Sequence, residues 1–241
     1  MSTFLELVVE LQEESGSSGD KITSVVGQSG ENQRMVKWIR NSDMYVQNLW
    51  LNWKFLWTQV TVSTGIGVGL AAPTNLNFWD YKTFKINDGG VGDLDEPIDV
   101  VEHDATKTML RDTNTNKPSN VIVMPDNSLD FDPPTDAVYK ISADYFKRPT
   151  PMTANADVSL IPENFHQVIL GRALTLYANY ESSSEIKVQG QEIYDEVIGR
   201  LENSQLPNQR FSRFQSTGSY FDVNANENGG DNFVVGGDGS W

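Results

Sequence analysis

The sequence has no cysteine and only two histidines, His103 and His166, among its 241 residues. Without cysteine there can be no disulfide, no thiolate nucleophile and no thiolate ligand for zinc. Two histidines are also too few for a multi-histidine metal site within one chain. We therefore expect no metal and no cofactor. His103 lies among acidic residues and is predicted to be exposed, whereas His166 has apolar neighbours near the start of a helix and is predicted to be structural.

Positive charge and long apolar runs are also scarce. The chain has 18 Lys and Arg against 33 Asp and Glu, which leaves a formal net charge of −15. A protein that wraps a DNA duplex needs the opposite sign, because phosphate contacts dominate nucleic-acid affinity. No run approaches eighteen apolar residues, so no membrane-spanning helix and no membrane partner are expected. The start of the chain is acidic and shows no secretory signal.

Catalytic motifs are missing as well. There is no Gly-x-Ser-x-Gly motif and no phosphate-binding loop, and the glycine-rich run from Gly65 leads into Pro73 instead of a helix. The acidic stretch 88–104 lacks the third ligand and the central glycine of an EF-hand. A carboxylate pair of the glycosidase type cannot be recognised without knowing distances in space. We expect no enzyme, and an enzyme of carbohydrate metabolism is the weakest alternative.

Helical periodicity is present on both sides of a central region. Apolar residues spaced at 100° per residue predict helices over 3–14, 31–53, 162–180 and 184–202. Gly190 lies on the inward face of the last helix, which predicts a close helix–helix approach because glycine costs helix stability. The apolar face of the second helix is wide enough for two neighbours. Its inward residues are predicted to be Met35, Val36, Trp38, Ile39, Tyr45, Val46, Leu49, Trp50 and Trp53.

The central region has strand periodicity instead. The run "VIVMPDNSLDFDPP" predicts two short strands joined by a turn, and Ile141, Ala143 and Tyr145 predict one face of a half-buried antiparallel strand. The predicted fold class is α+β: a four-helix-type bundle with an inserted antiparallel β-module and an extended C-terminal arm. The predicted domains are a helical core (1–56 and 158–203), the β-module (57–157) and the arm (204–241).

Three side chains of the predicted helices are candidates for contact with another subunit. Met44 and Leu51 lie seven residues apart on an otherwise polar helix side, either as scattered surface residues or as a contact strip. Arg172 falls within the apolar face of the third helix. It either snorkels to an edge or pairs with a carboxylate on a neighbour.

The C-terminal arm combines a disorder-prone composition with several aromatic residues. Its Asn, Gly and Ser residues cannot bury enough apolar surface to order it alone, so we expect it to order by docking on a partner. The run "NFVVGG" is predicted to add a β-strand to a partner's sheet. The arm residues predicted to make contact are Arg210, Phe211, Arg213, Phe214, Tyr220, Phe221, Phe233 and Trp241.

The order of segments resembles the head-to-tail connector adaptor proteins of tailed bacteriophages. A short helix precedes "GQSGENQRMVKWIRNSDMYVQNLWLNWKFLW", and the β-region ends in "VIVMPDNSLDFDPPTDAVYKISADYFKRP". The segment "LIPENFHQVILGRALTLYA" and a last helix follow. The resemblance covers about residues 3–203. Its most specific parts are the Trp-rich run 53–57, the Pro-Asp turn before Tyr145, and Ile161-Pro162.

The resemblance implies a structural virion protein of the phage neck, made in the host cytoplasm. The implied assembly is a dodecameric ring bound beneath the portal protein, with the C-terminal segment embracing the portal and a stopper, terminator or tail protein below. Phage DNA would pass through the ring without specific binding, since an acidic channel repels phosphate. The alternative is another tail-associated protein of the baseplate or fibre attachment, whose β-module binds a tail partner or a glycan.

Overall fold

A computed structural model of the chain describes residues 2–88, 94–106 and 114–206. The predicted contact residues of the arm, from Arg210 to Trp241, lie outside these ranges, as does the run "NFVVGG".

The described residues contain both helices and strands, which confirms the α+β class. The helices are α1 (Phe4–Glu14), α2 (Gly30–Leu49), α3 (His103–Thr106), α4 (Gln167–Glu181) and α5 (Ser184–Gln205), with single 3-10 turns at Lys54–Leu56 and Glu163–Phe165. The strands are β1 (Trp57–Ser63), β2 (Leu76–Trp79), β3 (Lys85–Asn87), β4 (Glu96–Pro97), β5 (Asp99–Glu102), β6 (Asn120–Val123), β7 (Leu129–Asp132) and β8 (Lys140–Lys147).

Helix α1 shows how local sequence determines the start of a helix. The Thr3 hydroxyl accepts from the Glu6 amide at 3.3 Å, and the Glu6 carboxylate accepts from the Thr3 amide at 2.8 Å. This capping box satisfies two amides that a helix start leaves unpaired. The predicted apolar face is confirmed, because Phe4, Leu7 and Val8 are all buried.

Helix α2 ends at Leu49, earlier than the predicted end at residue 53. Trp50 has extended backbone angles (φ −134°, ψ 135°), and the chain then turns so that the Trp53 indole folds back on the helix. Trp53 is fully buried, and its Nε1 donates to the Val46 carbonyl at 3.1 Å. Its ring stacks on Phe55 at 5.3 Å. Burial of this indole ends a helix that local periodicity alone would continue.

Helices α1, α2, α4 and α5 contribute to one apolar core, which also contains Trp53 and Met152. The closest packing lies between α4 and α5. A Cβ at Gly190 would lie 2.8 Å from the Gly171 carbonyl oxygen and 2.9 Å from the Thr175 amide nitrogen. The predicted close approach at Gly190 is confirmed. The description of these helices as a four-helix bundle stays a prediction.

The larger sheet is built around β8. Its order is β1-β8-β3-β4, with β2 also paired to β8, and all these pairs are antiparallel. Ile141, Ala143 and Tyr145 are buried, which confirms the predicted face of this strand. They belong to a second apolar core that also contains Trp79 and Phe131. The predicted domain boundaries stay a prediction.

The smaller sheet corrects the expectation of a purely antiparallel module. Its order is β5-β6-β7, and the β6–β7 pair is antiparallel, as predicted for "VIVMPDNSLDFDPP". Strands β5 and β6, however, are parallel, with Asp99 opposite Asn120 and Glu102 opposite Val123. Parallel neighbours need a crossover connection instead of a hairpin, and α3 lies within the connection between these two strands.

Candidate functional site

The C-terminal end of α2 carries exposed aromatic and apolar side chains. Tyr45, Trp50 and Leu51 are 40%, 46% and 61% exposed. Side chains from two other helices lie beside them. We refer to the whole set as the helix-end surface, which consists of Tyr45, Trp50, Leu51, Arg172, Tyr194 and Glu202.

Arg172 lies directly on an aromatic ring of this surface. Its Cζ is 3.2 Å from the centroid of the Tyr45 ring, a cation–π geometry. Its buried Nε has no hydrogen-bond partner among the described residues. Burial and the nearby Tyr45 raise the pKa of the Tyr194 hydroxyl, and the Arg172 charge opposes that rise. The contact with the Tyr45 ring places the Arg172 guanidinium group on the helix-end surface.

The end of α5 is tied to the same surface. The Trp50 Nε1 donates to the Glu202 carboxylate at 3.0 Å, and the Lys54 ammonium donates to the Ser204 carbonyl at 3.1 Å. The last described residues of the chain therefore lie beside the helix-end surface.

The proposed contact strip of Met44 and Leu51 is not one helix face. Leu51 lies beyond the end of α2, so the seven-residue spacing has no helical meaning there. Met44 is half-buried. Tyr45 and Trp50 were predicted to face the core and are exposed instead. The sequence did contain a signal for this exposure. Tyr and Trp carry a polar group that needs a hydrogen-bond partner when it is buried, and both residue types are common at interfaces.

A buried polar network holds α2 from its other side. The Asp43 carboxylate accepts from the Ser159 hydroxyl at 2.5 Å and from the Gln47 amide at 2.8 Å. The Gln47 side chain in turn accepts from the Thr150 amide at 3.2 Å. Burial raises the pKa of the Asp43 carboxyl, while these hydrogen bonds and His166 oppose the rise. The network anchors the helix turn that carries Met44 and Tyr45.

We expect Asp43→Asn to change how stability depends on pH. A carboxyl whose pKa is raised by folding contributes stability that is complete below its ordinary value of 3.8 and is lost as the pH rises through the folded-state pKa. Asparagine does not titrate. The free energy of unfolding of the natural protein should therefore rise relative to that of Asp43→Asn when the pH is lowered from 7 to 4, as measured by urea unfolding.

Asp157→Asn provides a control of opposite sign. The Asp157 carboxylate accepts from the amides of Thr153 and Ala154, and these bonds lower its pKa. Its contribution to stability is present above the ordinary pKa and is lost as the pH falls. A stability difference between the natural protein and Asp43→Asn that does not change with pH would contradict the assignment.

The two histidines differ in their surroundings. The Nε2 of buried His166 is 2.9 Å from the Ile161 carbonyl oxygen, which fits the predicted structural role. His103 is half-buried instead of exposed, and it lines a shallow pocket with Glu102 and Asp104. Among residues 2–88, 94–106 and 114–206, no cluster of three or more His, Asp or Glu side chains is arranged to hold a metal. No helix in these ranges has the length and apolar character needed to cross a bilayer.

The carboxylates of Asp144 and Asp80 are neighbours. Burial and the neighbouring Asp80 charge raise the pKa of the Asp144 carboxyl, while Lys85 and Gln59 oppose the rise. In β8, Asp144 alternates with the buried residues Ala143 and Tyr145, so its side chain lies on the other face of the sheet. Its Oδ1 is buried there and has no hydrogen-bond partner among the described residues.

The exposed aromatic surface on an otherwise well-packed α+β fold is typical of a structural protein that works through contacts with other proteins. The chain matches the family model for the SU10 adaptor protein over residues 2–219, and it belongs to this family. It is thus a structural adaptor protein of a bacteriophage and a component of the virion. A search of curated proteins finds no match.

Proposed function

We propose that the chain is a head-to-tail connector adaptor whose ring docks on the portal protein. The ring extends the DNA channel during genome packaging and ejection, and it gives the next neck or tail component a platform for attachment. The proposed ring is a dodecamer, and the protein performs no chemistry. The observation that supports this function best is the family match over residues 2–219, which includes all the described helices and strands.

The helix-end surface supports contacts between ring subunits. Exposed Tyr and Trp side chains beside a guanidinium group are the residue types that dominate binding energy at protein interfaces. No described carboxylate forms a salt bridge with Arg172, so a carboxylate of a neighbouring subunit is the partner that we propose for it. Met44, Leu51 and Arg172 stay the proposed subunit contacts.

The overall charge supports a channel that does not retain DNA. At a formal net charge of −15, the chain as a whole repels phosphate. An acidic channel lets the genome pass without binding it, since phosphate neutralisation is the main source of non-specific affinity.

The arm is the proposed portal-binding element. Ordering a residue costs roughly 1–2 kcal/mol of backbone entropy, which an Asn- and Gly-rich segment cannot recover by itself. Burying a phenylalanine side chain in a partner returns about 1.5–3 kcal/mol. We propose "RFSRF" as the first anchor, with Phe211 and Phe214 in apolar pockets and Arg210 and Arg213 paired with acidic groups. Tyr220, Phe221, Phe233 and Trp241 are the further contacts, made with the portal or with a neighbouring subunit.

Removing residues 208–241 should separate folding from assembly. We expect the truncated chain to keep its helical circular dichroism and unfolding midpoint, because both apolar cores are built from residues before 207. Its affinity for the portal protein of the same virus should fall by more than about tenfold, measured by sedimentation of the mixture.

A paired substitution gives a finer test of the same proposal. Phe211→Ala with Phe214→Ala should weaken portal binding at least about tenfold, since each side chain contributes more than the roughly 1.4 kcal/mol that equals a factor of ten. Gln209→Ala with Gln215→Ala is the matched control and should bind normally. Unchanged portal binding by the truncated chain would refute the proposed role of the arm. Assembly with baseplate or fibre proteins in place of the portal would favour the alternative function.

A further inference from the structure

Strand β1 is an open edge of the larger sheet. Within the described residues it pairs with β8 on one side and with no strand on the other. Natural edge strands often carry charged residues or proline, which discourage pairing with another strand. The seven residues of β1, WTQVTVS, include neither. On the other side of β8 the edge strands are shorter: β2 has four residues, and β4 has two and includes Pro97, which has no amide hydrogen. The sheet is thus open at β1 and blunt at β4.

The register shows which backbone groups face the open side. The Thr64 amide donates to the Tyr139 carbonyl at 2.8 Å. In an antiparallel pair every second residue bonds to the partner strand, so Thr58, Val60 and Val62 are the residues of β1 whose amides and carbonyls face β8. The alternating residues direct their amides and carbonyls away from β8. Gln59, Thr61 and Ser63 therefore present paired donors and acceptors along the open edge, and their side chains are exposed.

We propose that residues 232–235 of a neighbouring copy pair with β1 as an added strand. This inference rests on the proposed ring and identifies one contact within it. The run Asn-Phe-Val-Val is uncharged, and its last three residues have high β-propensity, as most residues of β1 have. Two copies that each carry a net charge of −15 repel one another, and a contact between uncharged strands adds no like-charge pair to that repulsion.

The length of the arm allows this contact between subunits. Phe233 lies 27 positions after Leu206, and at about 3.3 Å per position this length spans up to about 90 Å. A folded unit of about 200 residues has a radius of gyration of only about 17 Å. The run lies beyond residue 219, where the family match ends.

The absence of natural cysteine makes the contact directly measurable. One tagged chain carries Thr61→Cys, and a second, untagged chain carries Phe233→Cys, Val234→Cys or Val235→Cys. The full-length chains are mixed, assembled with the portal protein of the same virus, sized to verify the ring, and then oxidised. Because each chain has a single cysteine, a link between Thr61→Cys and an arm position forms only between copies.

The expected signature is a two-residue period. Alternate residues of a strand face opposite sides of the sheet, so position 234 should differ at least about fivefold in cross-linking yield from positions 233 and 235. Thr74→Cys, a control at another exposed threonine outside β1, should give low yields with all three arm positions. Thr61→Pro in a chain with Ser63→Cys should reduce the yield at least about fivefold, whereas Thr61→Val should not, since only proline removes the outward amide.

Three outcomes would overturn the inference. Equal yields at the three arm positions indicate random encounters between the arm and the sheet. Yields no higher than those of Thr74→Cys indicate that β1 is not the receiving edge. A ring of normal size without cross-links refutes the strand pairing and leaves the proposed function intact, whereas a chain that stays monomeric with the portal refutes the proposed function as well.

Discussion

Gly190→Ala is expected to lower the free energy of unfolding by roughly 1–3 kcal/mol, the usual cost of overpacking a tight interface. In an open helix the same change would increase stability, because glycine is about 1 kcal/mol less favourable than alanine. Here the new Cβ would lie 2.8 Å from the Gly171 carbonyl oxygen, so α4 and α5 must move apart. This oxygen and the Thr175 amide nitrogen are backbone atoms, which cannot turn aside as a flexible side chain can.

Gly199→Ala on the same helix is the matched control. A Cβ at Gly199 would meet nothing within 4 Å, so helix propensity should dominate and the protein should gain about 0.5–1 kcal/mol. Urea unfolding of the two variants should therefore give changes of opposite sign. A stabilising effect of Gly190→Ala would show that the two helices pack less closely than these distances require.

Trp53→Ala should have a larger effect still, a loss of about 3–5 kcal/mol in the free energy of unfolding. The indole is fully buried in the core shared by the helices, and removing it leaves a cavity and an unpaired Val46 carbonyl. The variant should unfold at a much lower urea concentration. It should also show weaker protection of the amides in the last turn of α2, measured by hydrogen exchange.

Trp50→Ala tests whether this cost comes from burial and not from the loss of any tryptophan. Trp50 is 46% exposed, and its indole donates a surface hydrogen bond to Glu202. The expected loss of stability is about 1 kcal/mol. Equal losses for the two tryptophans would contradict the structure. If Trp50 contributes to a subunit contact, its removal should weaken ring assembly more than it weakens folding.

Features determined by neighbouring residues were predictable from the sequence. The buried face of α1, the turn between β6 and β7 and the inward side of β8 each follow from a local repeat of polar and apolar residues. The close approach at Gly190 was also predictable. Glycine destabilises a helix, so its place on an apolar helix face indicates that a neighbouring backbone needs the space.

Features determined by distant residues were not predictable in this way. The end of α2 depends on the burial of Trp53 against residues far along the chain, and the parallel pairing of β5 with β6 depends on a crossover that no local pattern specifies. The side chains beside Tyr45 and Trp50 are Arg172 and Glu202, which come from two other helices. Periodicity assigns a side chain to a face of its helix, but it does not say whether another part of the chain covers that face.

The attachment of α1 also affects the order in which the protein can fold during synthesis. The Phe4 amide donates to the Asp157 carbonyl at 2.7 Å, across about 150 residues of sequence. At about 5–20 residues per second, a ribosome needs about 8–30 s to make the partner of this first helix. Until then the apolar face of α1 lacks most of the core that it joins, whereas β1 to β8 are already complete. The strands can therefore fold first, and α1 is the segment that a chaperone would need to protect.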